Sequence, residues 1–257
     1  MFDFHMHSKV SFDGKADAAA MVAAAEQMGL KEICFTDHID YTPEMDMVFD
    51  TDCYRQVYDN LHSDRVLIRR GMEYGLEPGN RAQFQSDLQR YAFDYVIGSV
   101  HLVDGLDVYL APYWENRDYD TAIRLFLEQT LECVRVHEDY DCLGHLTFIA
   151  KARANPRRVL IPYEDYPTLF DEILRQVIRH EKGLEVNTSG MDACGGYLPT
   201  MDFIHRYHRL GGRIITVGSD AHNEARVGQY THQVVQELKD IFGYVCTFEQ
   251  RRPIFHK

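Results

Sequence analysis

The stretch Phe2-Asp3-Phe4-His5-Met6-His7-Ser8 decides how the rest of the chain is read. Its mix of apolar and polar residues reads as a β-strand. Side chains alternate across a strand, so His5 and His7 project from the same face. Same-side residues lie roughly 6.5–7 Å apart along a strand, close enough for two imidazoles to converge on one metal ion. In a chain with 13 histidines among 257 residues, an H-x-H pair alone is a weak signal. It gains weight from what stands at the ends of the later strands.

Working outward, Ser8 to Lys15 is a polar loop containing Asp13-Gly14, and the alanine-rich run Ala16 to Met28 reads as a helix closed by Gly29. Strands follow at Glu32–Thr36, at Val66–Ile68 running into Gly71-Met72-Glu73-Tyr74, at Asp94–Val100, at Leu143-Gly144-His145, at Gly183–Asn187 and at Arg213–Val217. Between them, helices are expected over Asn80–Tyr91, Tyr119–His137, Tyr163–His180, Pro199–Arg209 and Gln229–Phe242. Leu102 to Asn116, with the one tryptophan, reads as a long loop of the kind that often carries function. The apolar run Tyr244–Phe248 completes the chain.

This β-then-α alternation, repeated about seven times without a linker, implies a parallel sheet with right-handed crossovers. A single α/β domain over residues 1–257 is expected, and the position of the polar residues favours a closed barrel over an open sheet. His5/His7, Asp37-His38, Glu73, His101, His145, Asn187 and Asp220/His222 each end a different expected strand. In a barrel those ends share one mouth; in an open sheet they would be spread along a line. The remaining histidines (His62, His137, His180, His205, His208, His232, His256) fall on helices, on loops or at the terminus and read as solvated or packing residues. Of the adjacent pair Asp37-His38, facing opposite ways on a regular strand, His38 is the expected ligand and Asp37 a supporting group.

Composition bounds the rest. The formal charge of −13 argues against a nucleic-acid partner, yet admits a small phosphate substrate where metal ions reverse the local sign. No apolar run approaches the ~18 residues that span a bilayer, and no charged-then-apolar leader precedes the first strand, so no membrane partner and a cytoplasmic location are expected. The six cysteines form no C-x-x-C pair and are expected to be reduced. The sequence carries no signal for an oligomeric state. Imidazole and carboxylate without thiolate suit Zn, Fe or Mn.

Together, Met-x-Asp-x-His-x-His-Ser, Thr36-Asp37-His38, Gly71-Met72-Glu73, Gly98-Ser99-Val100-His101, Gly144-His145, Glu185-Val186-Asn187-Thr188-Ser189-Gly190 and Gly218-Ser219-Asp220-Ala221-His222 resemble the PHP (polymerase and histidinol phosphatase) family, and more closely its stand-alone histidinol-phosphate phosphatases. The resemblance implies a distorted, TIM-like (β/α)7 barrel and a centre of two to three divalent ions. Carried over by motif, one ion takes His5, His7, Glu73 and Asp220. A second shares Glu73 and adds His101 and His145, and a third takes Asp13, His38 and His222.

Such a centre suits a phosphate monoester. Two ions can hold a bridging hydroxide, since metal binding lowers the pKa of water to about 7, and positive charge offsets the phosphoryl oxygens. The resemblance implies hydrolysis of L-histidinol phosphate, with Glu73 and Asp220 at the reacting centre and His222 a candidate to protonate the leaving group. Lys151, Arg153 and Arg226 are the cationic candidates for the phosphate. Relatives often carry an arginine after the Asn-Thr-Ser-Gly turn, whereas Met191-Asp192-Ala193-Cys194 holds no base, which moves that contact to another cation. Asp104, Asp107 and Asp192 are candidates to face a cationic amine. The competing readings are action on a nucleotide, sugar phosphate or phosphotyrosine, and a non-catalytic metal-binding module. Against the last stands the retention of a full ligand set.

Overall fold

Seven parallel strands follow one another around the sheet in chain order: β1 (Phe2–Met6), β2 (Glu32–Tyr41), β3 (Leu67–Gly75), β4 (Tyr95–Ser99), β5 (Cys142–Leu143), β6 (Gly183–Asn187) and β7 (Ile215–Gly218). The structure, a computed structural model, describes residues 1–43 and 46–257. A three-residue strand, Asp46–Val48, pairs antiparallel with the end of β2. The first and seventh strands meet through a parallel bridge between Met6 and Ala221. There His7 N donates to Ala221 O and Asp220 N to His5 O, each at 2.8 Å. The sheet is thus a nearly closed barrel, as its strand-end residues suggested.

Alternation divides the strands into two faces. Ile33, Phe35, Met72, Val96, Leu184, Val186 and Ile215 join the large core shared with the surrounding helices. Cys34, Tyr95, Ile97 and Cys142, one residue out of phase, form a second core with Phe4 and Phe248; this one fills the barrel's interior. The same inward rows continue toward the C-terminal mouth as Cys34, Thr36, His38 and as Tyr95, Ile97, Ser99. An apolar floor therefore passes into a polar mouth along single strands.

Phe248 comes from a hairpin, Val245–Glu249 with Arg252–His256, that covers the opposite end of the barrel. Arg251 pairs with Asp141, and Gln250 N donates to Asp94 Oδ1 at 3.1 Å. The sequence showed only the first of its strands. The turn residues Gln250 (φ 49°) and Arg251 (φ 65°) adopt left-handed backbone without the Gly or Asn that marks such a turn.

Other elements differ from expectation for equally local reasons. β2 runs on to Tyr41 because Ile39, Asp40 and Tyr41 pair with Asp46–Val48. Residues 102–116 are not an unstructured loop. They hold a two-stranded hairpin, Leu102–Val103 with Leu106–Asp107, turned at Asp104-Gly105 (φ 53° and 74°), and a short helix, Ala111–Trp114. The helix Thr51–Tyr58 was not expected; Asp50 caps it, accepting from Cys53 N at 2.7 Å. The helix expected over Asn80–Tyr91 spans only Arg81–Asp87. The six cysteines are free. Among the described residues no helix is long and apolar enough to cross a membrane.

Closure leaves no room beside β7. A Cβ placed on Gly218 would lie 2.2 Å from His5 Cβ and 2.4 Å from Glu185 Oε1, so the backbone itself fills the space between two site residues. Gly218→Ala is expected to lower stability by about 1–3 kcal/mol through overpacking. Urea unfolding checks this, and an unchanged midpoint and slope would contradict the packing of the seam.

Candidate metal centre

The clustered side chains arrive from the mouth ends of six of the seven strands and from the loop after β1, which supplies Asp13. His5 is next to last in β1 and His7 follows directly after its last residue, Met6; His38 and Glu73 sit opposite one another on β2 and β3. His101 lies two residues past β4, His145 two past β5, and Asp220 and His222 follow β7. Asp220 takes a left-handed backbone (φ 56°), a conformation aspartate tolerates better than most residues, and this turn brings its carboxylate back over the mouth.

Five separations define the innermost group. His5 Nε2 lies 3.1 Å from His7 Nε2 and 3.0 Å from Glu73 Oε2. His7 Nε2 lies 3.4 Å from both Glu73 Oε2 and Asp220 Oδ1, and His5 Nε2 3.7 Å from Asp220 Oδ1. Four ligand atoms about 2.0–2.1 Å from one ion stand roughly 3.3–3.4 Å apart in a tetrahedron, and these edges bracket that value. The other Glu73 oxygen, Oε1, lies 2.8 Å from His145 Nε2 and 3.3 Å from His101 Nε2. Asp13 Oδ2 lies 2.8 Å from His222 Nε2 and 3.6 Å from His38 Nε2, with His7 within reach of the same group. The two oxygens of Glu73 thus face different imidazoles, Oε1 those of His101 and His145 and Oε2 those of His5, His7 and, at 3.3 Å, His38.

The donor set fits divalent ions on chemical grounds. His5 Nδ1 lies 2.6 Å from Glu185 Oε1 and so carries its proton there. The lone pair of neutral His5 then points from Nε2 at the Glu73 carboxylate, an arrangement that is repulsive without a proton or cation between them. The charges are fully out of water. Burial alone would lower the His5 pKa, but Glu185, Glu73 and Asp220 outweigh it and hold the imidazole well above its usual range. Burial would likewise raise the Glu73 carboxyl, yet His5, His38 and His101 keep it well below the carboxylate range. His7 goes the other way: burial, with His222 and His38 alongside, brings it down to about 3. Protons and metal ions compete for the same atoms here.

All nine residues named as ligands from the sequence come together at this mouth, and the other seven histidines lie outside it. Asp37 does not face the cluster: it accepts from Ser8 N at 2.9 Å and is bonded by Tyr58 OH. The phosphate candidates separate. Lys151 lines the cavity, its Nζ on Asp220 and 2.7 Å from Ser189 Oγ. Arg153 is exposed and does not line the cavity. Arg226 pairs with Asp192, which also accepts from Tyr230 OH at 3.0 Å; neither Arg226 nor Asp192 is a lining residue.

Two carboxylates went unrecognised in the sequence. Glu185 joins His5 Nδ1 to the His145 backbone N–H, the latter at 2.8 Å. Asp40 lies against His38 and His101. The alternation of Glu185 and Asn187 along β6 was the available signal for the first; none marked the second. The cavity over the cluster measures about 590 Å³, and its outer wall is Phe12, Met47, Leu102, Tyr109, Leu110 and Phe148, with Asp107 among them.

Comparison with known proteins places this geometry. The PHP domain family matches residues 3–189. The chain belongs to that family. A probable histidinol-phosphatase of Clostridium acetobutylicum is 33% identical over 233 residues, covering 89% of each chain. The histidinol-phosphatase of Lactococcus lactis is 32% identical over 252 residues, covering 96% of this chain and 93% of that one. Among solved structures, histidinol phosphate phosphatase from Lactococcus lactis, complexed with zinc, L-histidinol and phosphate, superposes with a TM-score of 0.89 at 28% identity and covers 98% of both chains.

The position of Glu73 sets an asymmetry that can be tested. Glu73→Gln removes a charge facing two groups of imidazoles, whereas Asp13→Asn alters one partly exposed edge. Metal content by elemental analysis after reconstitution is expected to fall further in Glu73→Gln, with phosphatase activity following it. Equal losses in two folded variants would contradict a bridging carboxylate.

Proposed function

We propose that the chain is a metal-dependent phosphomonoesterase that hydrolyses L-histidinol phosphate to L-histidinol and phosphate. The observation that carries this reading is the convergence of a complete imidazole–carboxylate set on one mouth, in a barrel closely matched by an enzyme holding zinc, histidinol and phosphate. His5, His7, Glu73 and Asp220 would hold one ion, Glu73, His101 and His145 a second, and Asp13, His38 and His222 a third. Bound ions of the zinc, iron or manganese type supply an acidified water and positive charge against the phosphoryl oxygens.

The chain's own residues divide the remaining work. Lys151 lines the cavity, as does Lys15, and is the one of the two that reaches the cluster itself, pairing with Asp220 and lying 5.1 Å from the centre of the Phe148 ring. It is placed to meet a phosphoryl oxygen through a charge-assisted hydrogen bond. His222 has the most exposed side chain of the clustered imidazoles, at 27%, so the edge of the cluster that it shares with Asp13 is the one open to the leaving group. The apolar outer wall excludes water from the leaving group. Asp107, whose Oδ1 accepts from Tyr109 N at 2.8 Å, is among the described residues the one acid on that wall away from the ligand cluster and suits a cationic amine. Burial raises the carboxyl of Asp107, an effect that a bound ammonium would reverse.

Two variants separate the shared group from the distinguishing one. A lost charged contact is worth about 1.5–3 kcal/mol, or roughly ten- to a hundred-fold in kcat/KM. Lys151→Ala is expected to lose that much toward every phosphate monoester alike. Asp107→Asn is expected to lose it toward histidinol phosphate and leave an aryl phosphate unchanged. Steady-state phosphate release from both esters, with metal loading verified, checks this. If the unmodified protein turned over histidinol phosphate no faster than the aryl ester, the specific substrate would be wrong.

A further inference from the structure

Asp40 lies between two imidazoles assigned to different ions. Its Oδ1 is hydrogen-bonded to His101 Nδ1 at 2.8 Å, and its Oδ2 is at ion-pair distance, 3.0 Å, from His38 Nδ1, an atom that also lies 3.3 Å from Glu73 Oε2. The Nε2 atoms of those same rings point the other way, His101 toward Glu73 Oε1 at 3.3 Å and His38 toward Asp13 Oδ2 at 3.6 Å. The Asp40 side chain is only 3% exposed. The fold makes room for it: a Cβ on Gly75 would fall 2.0 Å from Asp40 Oδ1.

We propose that Asp40 is a positioning residue whose single carboxylate holds His38 and His101 as Nδ1–H tautomers, turning both Nε2 lone pairs to the ions and coupling the second and third sites. A carboxylate has two acceptor oxygens and no donor, so it can satisfy both Nδ1–H groups at once. An amide of the same shape has one oxygen and one NH2. It would oppose a donor to one ring, forcing that ring to move its proton to Nε2, where it blocks the metal-facing atom. Removing such a partner of a metal-binding histidine costs about ten- to a hundred-fold in metal affinity. The assignment rests on the metal-centre reading above.

The test compares Asp40→Asn with the unmodified protein by zinc competition against a chelator, together with metal-free melting temperatures. Asparagine preserves packing, so a purely structural role would leave zinc affinity unchanged. The assignment expects a metal-free protein that melts as before, and zinc at the His38 and His101 sites held about ten- to a hundred-fold less tightly. Full zinc retention at wild-type affinity would overturn it. A second measurement needs no variant: in the zinc-loaded protein with 15N-labelled histidine, ring N–H signals of His38 and His101 are expected at Nδ1. Protons found on Nε2 instead would overturn the assignment even if Asp40→Asn failed to fold. An unmodified protein that takes up no zinc would instead overturn the metal-centre reading on which it rests.

Discussion

The buried carboxylate of Glu73 is the interaction on which the rest of the site depends. With 1% of its side chain exposed and five imidazoles within 3.4 Å of its two oxygens, it sits where water cannot screen or solvate it. Ser99 Oγ, donating to Oε1 at 2.6 Å, offsets only part of that desolvation. An isolated buried charge costs several kcal/mol, so the arrangement is stable only with positive charge shared among its neighbours. Protonated imidazoles supply it in one state and divalent ions in another. The second alternative explains why two ligand groups face one carboxylate from opposite sides.

The barrel brings the ends of β1, β2, β4 and β5 within reach of Glu73 on β3. Its interior is apolar at the floor, where Phe248 closes it from the C-terminal hairpin, and polar only at the mouth. Backbone at Gly75 and Gly218 lies where a side chain would displace Asp40 or His5. Supporting carboxylates then fix the rings: Glu185 on His5, Asp40 on His38 and His101. Such partners orient the ligand and raise its basicity, and here both stand on barrel strands rather than on loops, which makes their placement rigid.

Much of this was legible in the sequence because metal ligands must be particular residue types at particular strand positions. His5/His7 and Asp220/His222 announce themselves by period-two spacing, and Glu73 and His101 by standing where an apolar run ends. Position on a strand also told His38 from Asp37. What was not legible depends on distances between strands. Asp40 looks like any polar residue after a strand, until pairing with Asp46–Val48 extends β2 and turns Asp40 toward both imidazoles. Arg226 and Arg153 follow ligand residues closely in sequence, as Lys151 does, but only Lys151 lines the cavity; chain proximity does not determine side-chain direction in a loop. The closing hairpin was half hidden because its turn achieves left-handed backbone with glutamine and arginine.

The central claim is that one carboxylate joins two metal sites at the barrel mouth. Diffraction data recorded on both sides of the zinc absorption edge, from crystals grown with zinc, test it directly. More than one anomalous peak is predicted at the mouth, with Glu73 Oε1 and Oε2 each bonded to a different ion. A single peak, or ions that leave either oxygen of Glu73 uncoordinated, would contradict it.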